Sequence, residues 1–384
     1  MINGLAFGLV LAGAGAQAAS LPALHLGIAG APQVMFTPKR DACDGNDVPD
    51  APVRAYRDAQ GNVVMFGLHY VNRAWRGPDL DHLKLDCHVV LASKFNPDPA
   101  AFDDYSWITA LWTRDGRNVD ALVHEEYHAN EYKGACAFSD YLKCWYNTIL
   151  EVHSGDDAGL FSRAARPVVA AAPFGSNIGQ GRHRGFFNPS NIFVDRGFGY
   201  FFASTTGWDG QKGGVCLFRS ATPGDPQSWR AYDGAHFATR FVDPYHLGAS
   251  LAEHCAIVAP FPAPVGAVVR QRGSGLWLAV FMAAADRDHF PVSGFYFATA
   301  KNLLDWSLPH LLIANSIIYD DPCHAGDAML AYPSLLASNA GTRLFFDFDR
   351  TLWLYYARLG VEGCNITGAR DLMRVPIQVE RRKD

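Results

Sequence analysis

Charge is modest in this sequence, and there is no run of basic residues. The 384 residues include 33 Lys and Arg against 38 Asp and Glu, which gives a formal net charge of −5. A nucleic-acid interface needs clustered Lys and Arg, so this composition does not favour a nucleic-acid partner. Beyond the N-terminal segment, no apolar run approaches the ~20 residues of a transmembrane helix, so no membrane span is predicted.

The signatures of several other protein classes are also missing. No two cysteines form C-x-x-C, so neither a cysteine zinc site nor a redox dithiol is indicated. No G-x-S-x-G nucleophile motif is present. The glycine-rich segment Phe174 to Gly185 lies outside any βα pattern, so nucleotide binding is not indicated.

The N-terminal segment favours export. Leu5 to Ala14 is apolar and is followed by Ala16-Gln17-Ala18, a small-x-small pattern typical of cleavage before Ala19. The first residues carry no Lys or Arg, and an Ala/Gly-rich tail or a misassigned start is the alternative. We expect residues 1–18 to be a signal peptide and the protein to be secreted or periplasmic.

The cysteine content fits an oxidising compartment. An even number of cysteines in an exported chain indicates disulfides, and bridged cysteines do not serve as nucleophiles. Cys136 and Cys144 form the most favourable pair, because their eight-residue spacing could close one loop. The eight cysteines are Cys43, Cys87, Cys136, Cys144, Cys216, Cys255, Cys323 and Cys364.

Short alternating runs typical of β-strands recur along the chain, while convincing amphipathic helices are scarce. The runs are separated by turn signals such as D-G, N-P and G-D-P, and the 36 Gly and 22 Pro suit a turn-rich β protein. Five loosely similar units of roughly 60 to 75 residues can be aligned. The clearest match joins Arg219 to Trp229 with Ala298 to Trp306. The expected units are approximately 47–104, 105–180, 181–250, 251–315 and 316–384.

The repeated unit predicts the fold. A four-stranded sheet cannot bury both faces alone, whereas repeated sheets packed around an axis can. The sequence therefore predicts an all-β fold, namely a five-bladed β-propeller of four-stranded antiparallel blades, with residues 19–384 as one domain. A pair of β-sandwiches is the alternative.

The order of these units resembles that of five-bladed glycoside hydrolases. An acidic residue lies in the first strand of unit one, in VPDAPVRAYRD, and the units end in a tail similar to S-x-D-L-x-x-W. Together these features resemble the superfamily of the family 43 arabinanases and xylosidases and the invertase-like families, from about Asp47 to Arg358. The invertase-like motifs W-M-N-D-P-N, R-D-P and E-C are absent. The resemblance implies a carbohydrate-active protein without naming its sugar.

Residues 121–132, ALVHEEYHANEY, contain the H-E-x-x-H pattern of zinc peptidases. On a helix, His124 and His128 could hold zinc while Glu125 acts as general base. The preceding Arg114 to Arg117 is a turn signal, however, and it predicts that residues 118–129 return as a strand. On a strand the two histidines lie too far apart for one metal, and no third-ligand motif follows. No metal is expected at this site.

A strand gives these residues another use. Glu126 then shares a face with His124 and His128, and Glu125 points to the opposite side. Imidazoles favour the ionised form of a nearby carboxylate when charged and offer hydrogen bonds to sugar hydroxyls when neutral. Glu126 is therefore the predicted catalytic carboxylate, and a register shifted by one residue would substitute Glu125.

Glycoside hydrolysis needs a second carboxylate across the sugar ring. The resemblance implies Asp50, which lies at the head of the first inner strand, where five-bladed hydrolases carry their catalytic base. Arg54, four residues on, shares its face and could hold Asp50 ionised or bind substrate. Asp50 could instead be a turn residue, because Pro49 and Pro52 flank it.

Later units contain fewer acidic residues at the expected positions. The third inner strand, FFNPSNIF, offers Asn188 and Asn191 as hydrogen-bonding groups but no acid. Glu253, ahead of Cys255, is a rival general acid. The segment YDDPCHAGD could be a structural Ca²⁺ loop, although a disulfide-tethered turn is favoured because Asp-Pro is ordinary turn chemistry. No other cofactor is indicated.

Aromatic side chains near the predicted rim could stack on sugar rings, although most aromatics in a propeller pack between blades. Trp145, beside the expected Cys136–Cys144 bridge, is the first candidate for substrate binding. The others are Tyr70, Trp75, Trp107, Trp112, Tyr146 and Phe187. The sequence thus predicts an exported glycoside hydrolase acting on an oligo- or polysaccharide. A non-catalytic glycan-binding propeller is the alternative, and an H-E-x-x-H zinc metallopeptidase is the third reading.

Overall fold

The computed structural model describes residues 23–246 and 253–381, and the predicted signal peptide lies outside them. Over these residues the protein is all-β, as the sequence predicted, and its helices are single turns. Three of the six helical turns described begin with an Asp cap followed by Pro, a pairing that starts a helix and does not extend it. The turns are α1 (Pro38–Asp41) and the 3-10 helices Pro99–Ala101, Ala129–Glu131, Tyr141–Cys144, Pro226–Ser228 and Pro322–His324.

The first strands form a small sheet that corresponds to unit one. Two strands precede it, β1 (Leu24–Ile28) and β2 (Gln33–Phe36). The next are β3 (Pro49–Arg57), β4 (Val63–Leu68), β5 (Val71–Asn72), β6 (Trp75–Gly77), β7 (Lys84–Leu85) and β8 (Leu91–Ala92). Strands β3, β4, β6 and β7 pair in that order, and β5 pairs with β8.

The second and third groups of strands share one sheet. They comprise β9 (Tyr105–Trp112), β10 (Val119–His128), β11 (Trp145–Ser154), β12 (Ser162–Ala170), β13 (Arg184–Phe187), β14 (Phe193–Asp195), β15 (Phe198–Thr205), β16 (Gly214–Ser220), β17 (Arg230–Tyr232) and β18 (Phe237–Thr239). Strands β9 to β12 pair antiparallel in sequence order. A short parallel pairing of β11 with β13 joins them to the chain of β15, β16, β17 and β18.

The last strands form two further sheets, and one of them includes the beginning of the described chain. They are β19 (Val265–Gln271), β20 (Trp277–Ala283), β21 (Gly294–Ala300), β22 (His310–Ala314), β23 (Ala328–Leu336), β24 (Asp347–Phe348), β25 (Thr351–Glu362) and β26 (Asn365–Arg381). Strands β19 to β22 pair antiparallel in order, with β24 added beside β19. Strands β23, β25 and β26 form the other sheet, in which β1 and β2 pair with β26.

The longer strands therefore pair in five groups, of which the second and third share one sheet, and β24, β1 and β2 join their groups out of chain order. The pairing of β1 and β2 with β26 adds residues before position 47 to the last group, which the sequence reasoning did not anticipate. The arrangement of the groups as five blades, and the unit boundaries, stay predictions.

Buried strands hold the groups together. Every residue of β20 and β21 is buried, because both faces of these central strands pack against neighbouring sheets. Four disulfides add covalent links: Cys43–Cys87, Cys136–Cys144, Cys216–Cys255 and Cys323–Cys364. The predicted Cys136–Cys144 bridge is confirmed. Among the described residues, no helix is long and apolar enough to cross a membrane.

Candidate active site

The H-E-x-x-H segment lies on β10, so the zinc-helix reading is wrong. Asp115 closes the preceding turn by accepting hydrogen bonds from the backbone N–H groups of Arg117 and Asn118, each at 2.8 Å. The chain then returns as β10 beside β9, which confirms the predicted strand. The physical reason is pairing: the backbone of β10 is hydrogen-bonded to β9 on one side and to β11 on the other, so its N–H and C=O groups are not available for a helix.

Glu126 receives both histidines of the motif. The Nε2 atoms of His124 and His128 each lie 2.7 Å from one of its carboxylate oxygens. The side-chain amide of Asn147, on the neighbouring β11, donates to the same carboxylate at 3.1 Å. The predicted shared face of Glu126, His124 and His128 is thus confirmed.

The backbone of the third group fixes the tautomer of His124. The N–H of Asn188 donates to its Nδ1 at 2.9 Å, so that nitrogen has no proton and Nε2–H is the donor to Glu126. His128 has a second acidic neighbour, because its Nδ1 lies 3.4 Å from an oxygen of Glu131. One imidazole is therefore bonded to Glu126 and to the backbone of Asn188, and the other lies between two carboxylates.

Hydrogen bonding decides the charge of Glu126. Burial alone would raise its pKa, but the hydrogen bonds from His124 and His128 outweigh burial and lower the pKa well below its usual range. The carboxylate is therefore ionised at any pH at which the protein is expected to work. It is a buried negative charge held by three donors.

Glu125 lies on the opposite face of β10, as predicted. Its Oε1 accepts the backbone N–H of Asp104 at 2.9 Å. Burial raises its pKa to about 8, and that single hydrogen bond does not reverse the effect. Glu125 is consequently protonated at neutral pH and does not join the cluster around Glu126.

Asp50 is surrounded by donors from two sheets and from the loop after β4. The indole N–H of Trp107 lies 3.3 Å from one oxygen, and the hydroxyl of Tyr332 lies 3.2 Å from the other. Arg370 forms an ion pair with it, and Nε2 of His69 lies 3.3 Å away. All four partners can present N–H or O–H groups to its two oxygens. Asp50 thus lies on β3 and not in a turn, and its catalytic role stays a prediction.

His69 and Trp107 connect Asp50 with Glu126. Burial lowers the pKa of His69, and the negative charges of Asp50 and Glu126 both act against that shift. Trp107, which donates to Asp50, also meets the ring of His124 edge-on at 5.9 Å between centroids. The two predicted carboxylates thus belong to one cluster of polar and aromatic side chains.

Arg54 is not a partner of Asp50, which corrects the sequence prediction. Its guanidinium donates to the carbonyls of Thr109 and Pro189 and to the hydroxyl of Ser334, and so links β3 to three other strand groups. Burial lowers its pKa to about 9. Arg54 lies on the same strand as Asp50, but its side chain points into the small cavity between the strand groups and ties them together.

The remaining predicted site residues have different surroundings. The side chain of Asn191 bonds both backbone groups of Val268, so it holds two strand groups together and is not free for substrate. Asn188 contributes its backbone N–H to His124. Glu253 accepts the backbone N–H of Arg240, beside the outer strand β18. Within the described residues Glu253 contacts neither Asp50 nor Glu126.

Trp145 packs against the cluster, and its predicted role in substrate binding stays a prediction. Its ring stacks on His128 with 4.1 Å between centroids and an interplanar angle of 5°. Its indole N–H donates to Asn130 at 3.0 Å. His183 packs edge-on against Trp145 at 5.6 Å and bonds the amide of Asn147. Burial lowers the pKa of His183 to about 4, so this imidazole is neutral.

Sequence reasoning missed several members of the cluster. Arg370 and Tyr332 belong to the last sheet, and nothing in their local sequence indicates that they reach Asp50. Asn147 could have been found, because it follows Trp145 in CWYN on the strand paired with β10. The missed residues are His69, Asn147, His183, Tyr332 and Arg370.

The YDDPCHAGD segment is the disulfide-tethered turn that the sequence favoured. Asp321 caps the 3-10 helix by accepting the N–H of Cys323, and Cys323 is bridged to Cys364. Asp320 accepts the hydroxyl of Ser293 and the N–H of Ile317. Among the described residues, no group of three or more His, Cys, Asp or Glu side chains has a metal-binding arrangement.

Comparisons with known proteins give structural likenesses only. No family model matches the sequence, and no curated protein matches it. Similar solved structures include a thermostable family-43 glycoside hydrolase, at 11% identity over 88% of this chain and 98% of that one, with a TM-score of 0.45. An endo-1,4-beta-xylanase from Bacteroides thetaiotaomicron is 11% identical over 88% and 91% of the two chains, with a TM-score of 0.47.

A third solved structure is an alpha-L-arabinanase from Cellvibrio cellulosa complexed with arabinohexaose. It is 13% identical to this chain, covers 85% of this chain and 90% of that one, and has a TM-score of 0.45. The function proposed below rests on the residues of the site itself.

Proposed function

We propose that the protein is an exported glycoside hydrolase that acts on an oligo- or polysaccharide, with Asp50 and Glu126 as its two carboxylates in the centre of a five-bladed propeller. One observation carries the proposal. Asp50 and Glu126 come from different strand groups, and the imidazole of His69 lies within the electrostatic reach of both. Two carboxylates in one pocket, each with its own donors, are the minimal equipment for glycoside hydrolysis.

Asp50 is assigned the role of the proton-accepting or nucleophilic carboxylate. Arg370, Tyr332 and Trp107 bond both of its oxygens and hold the carboxylate in one orientation. An ionised carboxylate beside the anomeric carbon stabilises the positive charge that develops on the sugar. Its partners would also hold the carboxylate in place, so that little reorganisation accompanies the reaction.

Glu126 is assigned the opposite side of the glycosidic bond. Its low pKa means that the proton for the leaving oxygen must come from an imidazole partner. His128 lies 2.7 Å away and has Glu131 on its far side, so its two ring nitrogens face two carboxylates. The proton passes from Nε2 of His128 through Glu126 to the glycosidic oxygen as the C–O bond breaks.

The aromatic side chains around these carboxylates support a sugar ligand. Trp145 stacks on His128, which bonds Glu126. Trp107 packs edge-on against His69, which lies beside Asp50. Aromatic faces suit the apolar face of a sugar ring, and the imidazoles and hydroxyls suit its polar edge.

Amide variants test the proposal. Asp50→Asn and Glu126→Gln should each lower hydrolysis of a responsive glycan at least about a hundredfold, because each removes a charge that acts on the transition state. Glu253→Gln is the matched control and should keep wild-type activity. Activity is measured as reducing-sugar release across a glycan panel. Full activity in both site variants would exclude the pair, and a loss confined to Glu253→Gln would give the acid role to Glu253.

A non-catalytic glycan-binding protein is the second candidate, and one observation favours it. The pKa of Glu126 is lowered, and Glu125, whose pKa is raised, faces away from the cluster. No protonated carboxyl therefore stands ready beside Asp50 among the described residues. Binding of an oligosaccharide in calorimetry, with no product after prolonged incubation, would establish this function in place of hydrolysis.

A further inference from the structure

A continuous row of aromatic rings crosses the site at His128. Tyr105 stacks on one side of the imidazole at 4.3 Å between centroids, and Trp145 stacks on the other at 4.1 Å. The row extends beyond Tyr105 to Phe95 at 5.0 Å, and beyond Trp145 to Tyr141 at 5.1 Å. These five residues are called the aromatic row below.

The two ends of the row are exposed. The exposed fraction is 46% for Phe95 and 52% for Tyr141, whereas His128 in the middle is buried. Large aromatic side chains that stay exposed to water beside a cluster of polar groups are typical of ligand-binding sites. The row thus presents one exposed ring at each end, on either side of the buried His128.

The protein holds both ends in place. Phe95 adopts a left-handed backbone conformation with φ of 54°, which a bulky residue rarely takes and which tends to occur at binding sites. The next residue, Asn96, is hydrogen-bonded to the backbone of Asp103. Tyr141 begins a helical turn that Asp140 caps, within the loop closed by Cys136–Cys144. Fixed platforms lose less conformational entropy on binding than mobile ones.

The chemistry along the row matches a carbohydrate chain. The hydroxyl of Tyr105 bonds Glu131, and the indole N–H of Trp145 bonds Asn130, so polar groups line the edges of the apolar rings. A sugar unit has the same division, with an apolar C–H face and a hydroxyl edge. A protein partner would be expected to need a wider apolar surface than two separate rings.

We infer that the substrate is an oligosaccharide chain whose units bind on both sides of Glu126, with one unit stacked on Phe95 and another on Tyr141. The inference rests on the proposed sugar-binding function and adds the extent of the ligand. A single sugar at Glu126 would use the centre of the row and neither end. The protein therefore acts within a chain and not only at its terminus.

A length series tests the inference with the full protein. The probes are linear xylo-, arabino- and cello-oligosaccharides of two to six units, with affinity measured by calorimetry and hydrolysis by product release. Phe95→Ala and Tyr141→Ala should each weaken binding of the hexamer about fivefold or more, as interface aromatics do, and leave the dimer within about twofold. Leu160→Ala, which removes another exposed apolar side chain (62% exposed), should change neither. Thermal midpoints of all variants establish that each is folded.

The outcomes separate this inference from the proposed function. Length-dependent losses of binding without hydrolysis would uphold the aromatic row and overturn the hydrolase. If both variants hydrolyse the oligosaccharides and bind each length as tightly as the wild-type protein does, the aromatic row is overturned and the hydrolase stands. Equal losses for dimer and hexamer would place the effect in the central pocket and also overturn the row. Failure of every oligosaccharide to bind the wild-type protein would overturn both.

Discussion

Glu125 and Glu126 are adjacent in the sequence, yet β10 presents them to opposite sides of its sheet, and their surroundings differ accordingly. Both side chains are largely removed from water, so burial raises the pKa of each. Glu125 has one backbone N–H as a donor, whereas Glu126 has two imidazoles and an amide. The pKa of Glu125 therefore rises to about 8, and that of Glu126 falls below its usual range. The comparison teaches that the donors around a buried carboxyl, and not burial itself, decide its charge.

The largest expected effect is on activity. Glu126→Gln should lower glycan hydrolysis at least about a hundredfold, whereas Glu125→Gln should keep it within about twofold, because only the former faces the cluster. Initial rates on the same glycan measure both variants, and circular dichroism shows that each is folded. Equal losses in the two variants would mean that the faces of β10 do not differ in function.

The next effect is on stability as a function of pH. Glu125 keeps its proton in the folded protein up to about pH 8, whereas the unfolded chain releases it near its ordinary pKa of 4.5. Between these values the folded state binds more protons, so the free energy of unfolding should fall as pH rises from about 5 to about 8. The decrease is on the order of 2–4 kcal/mol for this group.

Glu125→Gln should remove that part of the slope, because Gln can still accept the N–H of Asp104 and carries no charge. Urea unfolding at pH 5 and pH 8 measures the slope in both proteins. The acid-side slope of Glu126 has the opposite sign, since a lowered pKa contributes stability that is lost as pH falls. A slope between pH 5 and 8 that is unchanged in Glu125→Gln would contradict the assignment.

The smallest expected effect concerns the turn that sets the register of β10. Gly116 has φ of +78°, and an added Cβ would lie 2.5 Å from the backbone of Asp58 in the matching turn of unit one. Gly134 has φ of +82° with nothing within 4 Å of an added Cβ. Gly134→Ala should cost about 1 kcal/mol of stability, and Gly116→Ala should cost more because it adds a clash.

Denaturant midpoints of the two variants measure this difference. Activity in Gly116→Ala at a temperature where the variant is folded should remain near wild type, because β10 keeps its register. A loss of activity in the folded variant would indicate that the register has slipped and that Glu125 has replaced Glu126 at the cluster.

Local sequence was sufficient for the strands that carry the site. The Asp115 turn, the alternation along residues 119–128 and the eight-residue cysteine spacing involve only short-range chemistry. The structure confirms β10, the shared face of Glu126 with its two histidines, and the Cys136–Cys144 bridge. Period-two alternation assigns side chains to faces once a strand is recognised, so the opposite orientations of the two glutamates followed.

Arg54 shows where local reasoning failed. Its spacing from Asp50 predicted a shared face and an ion pair, but the register of β3 against β4 shifts between Pro49 and Arg54. That irregularity separates the two side chains, and Arg54 instead ties together Thr109, Pro189 and Ser334 from other groups. Alternation cannot be carried through a bulge, because one extra residue reverses the faces beyond it.

The sequence by itself determined the all-β class, the strand that carries His124, Glu126 and His128, and the side of that strand on which each lies. Those properties depend on turn chemistry and on alternation between neighbours in the chain. Only the tertiary structure decided that Arg370 and Tyr332 reach Asp50, and that the charges of Asp50 and Glu126 both act on His69. Those contacts join residues up to 320 positions apart, and their formation depends on how the strand groups pack, which no local pattern encodes.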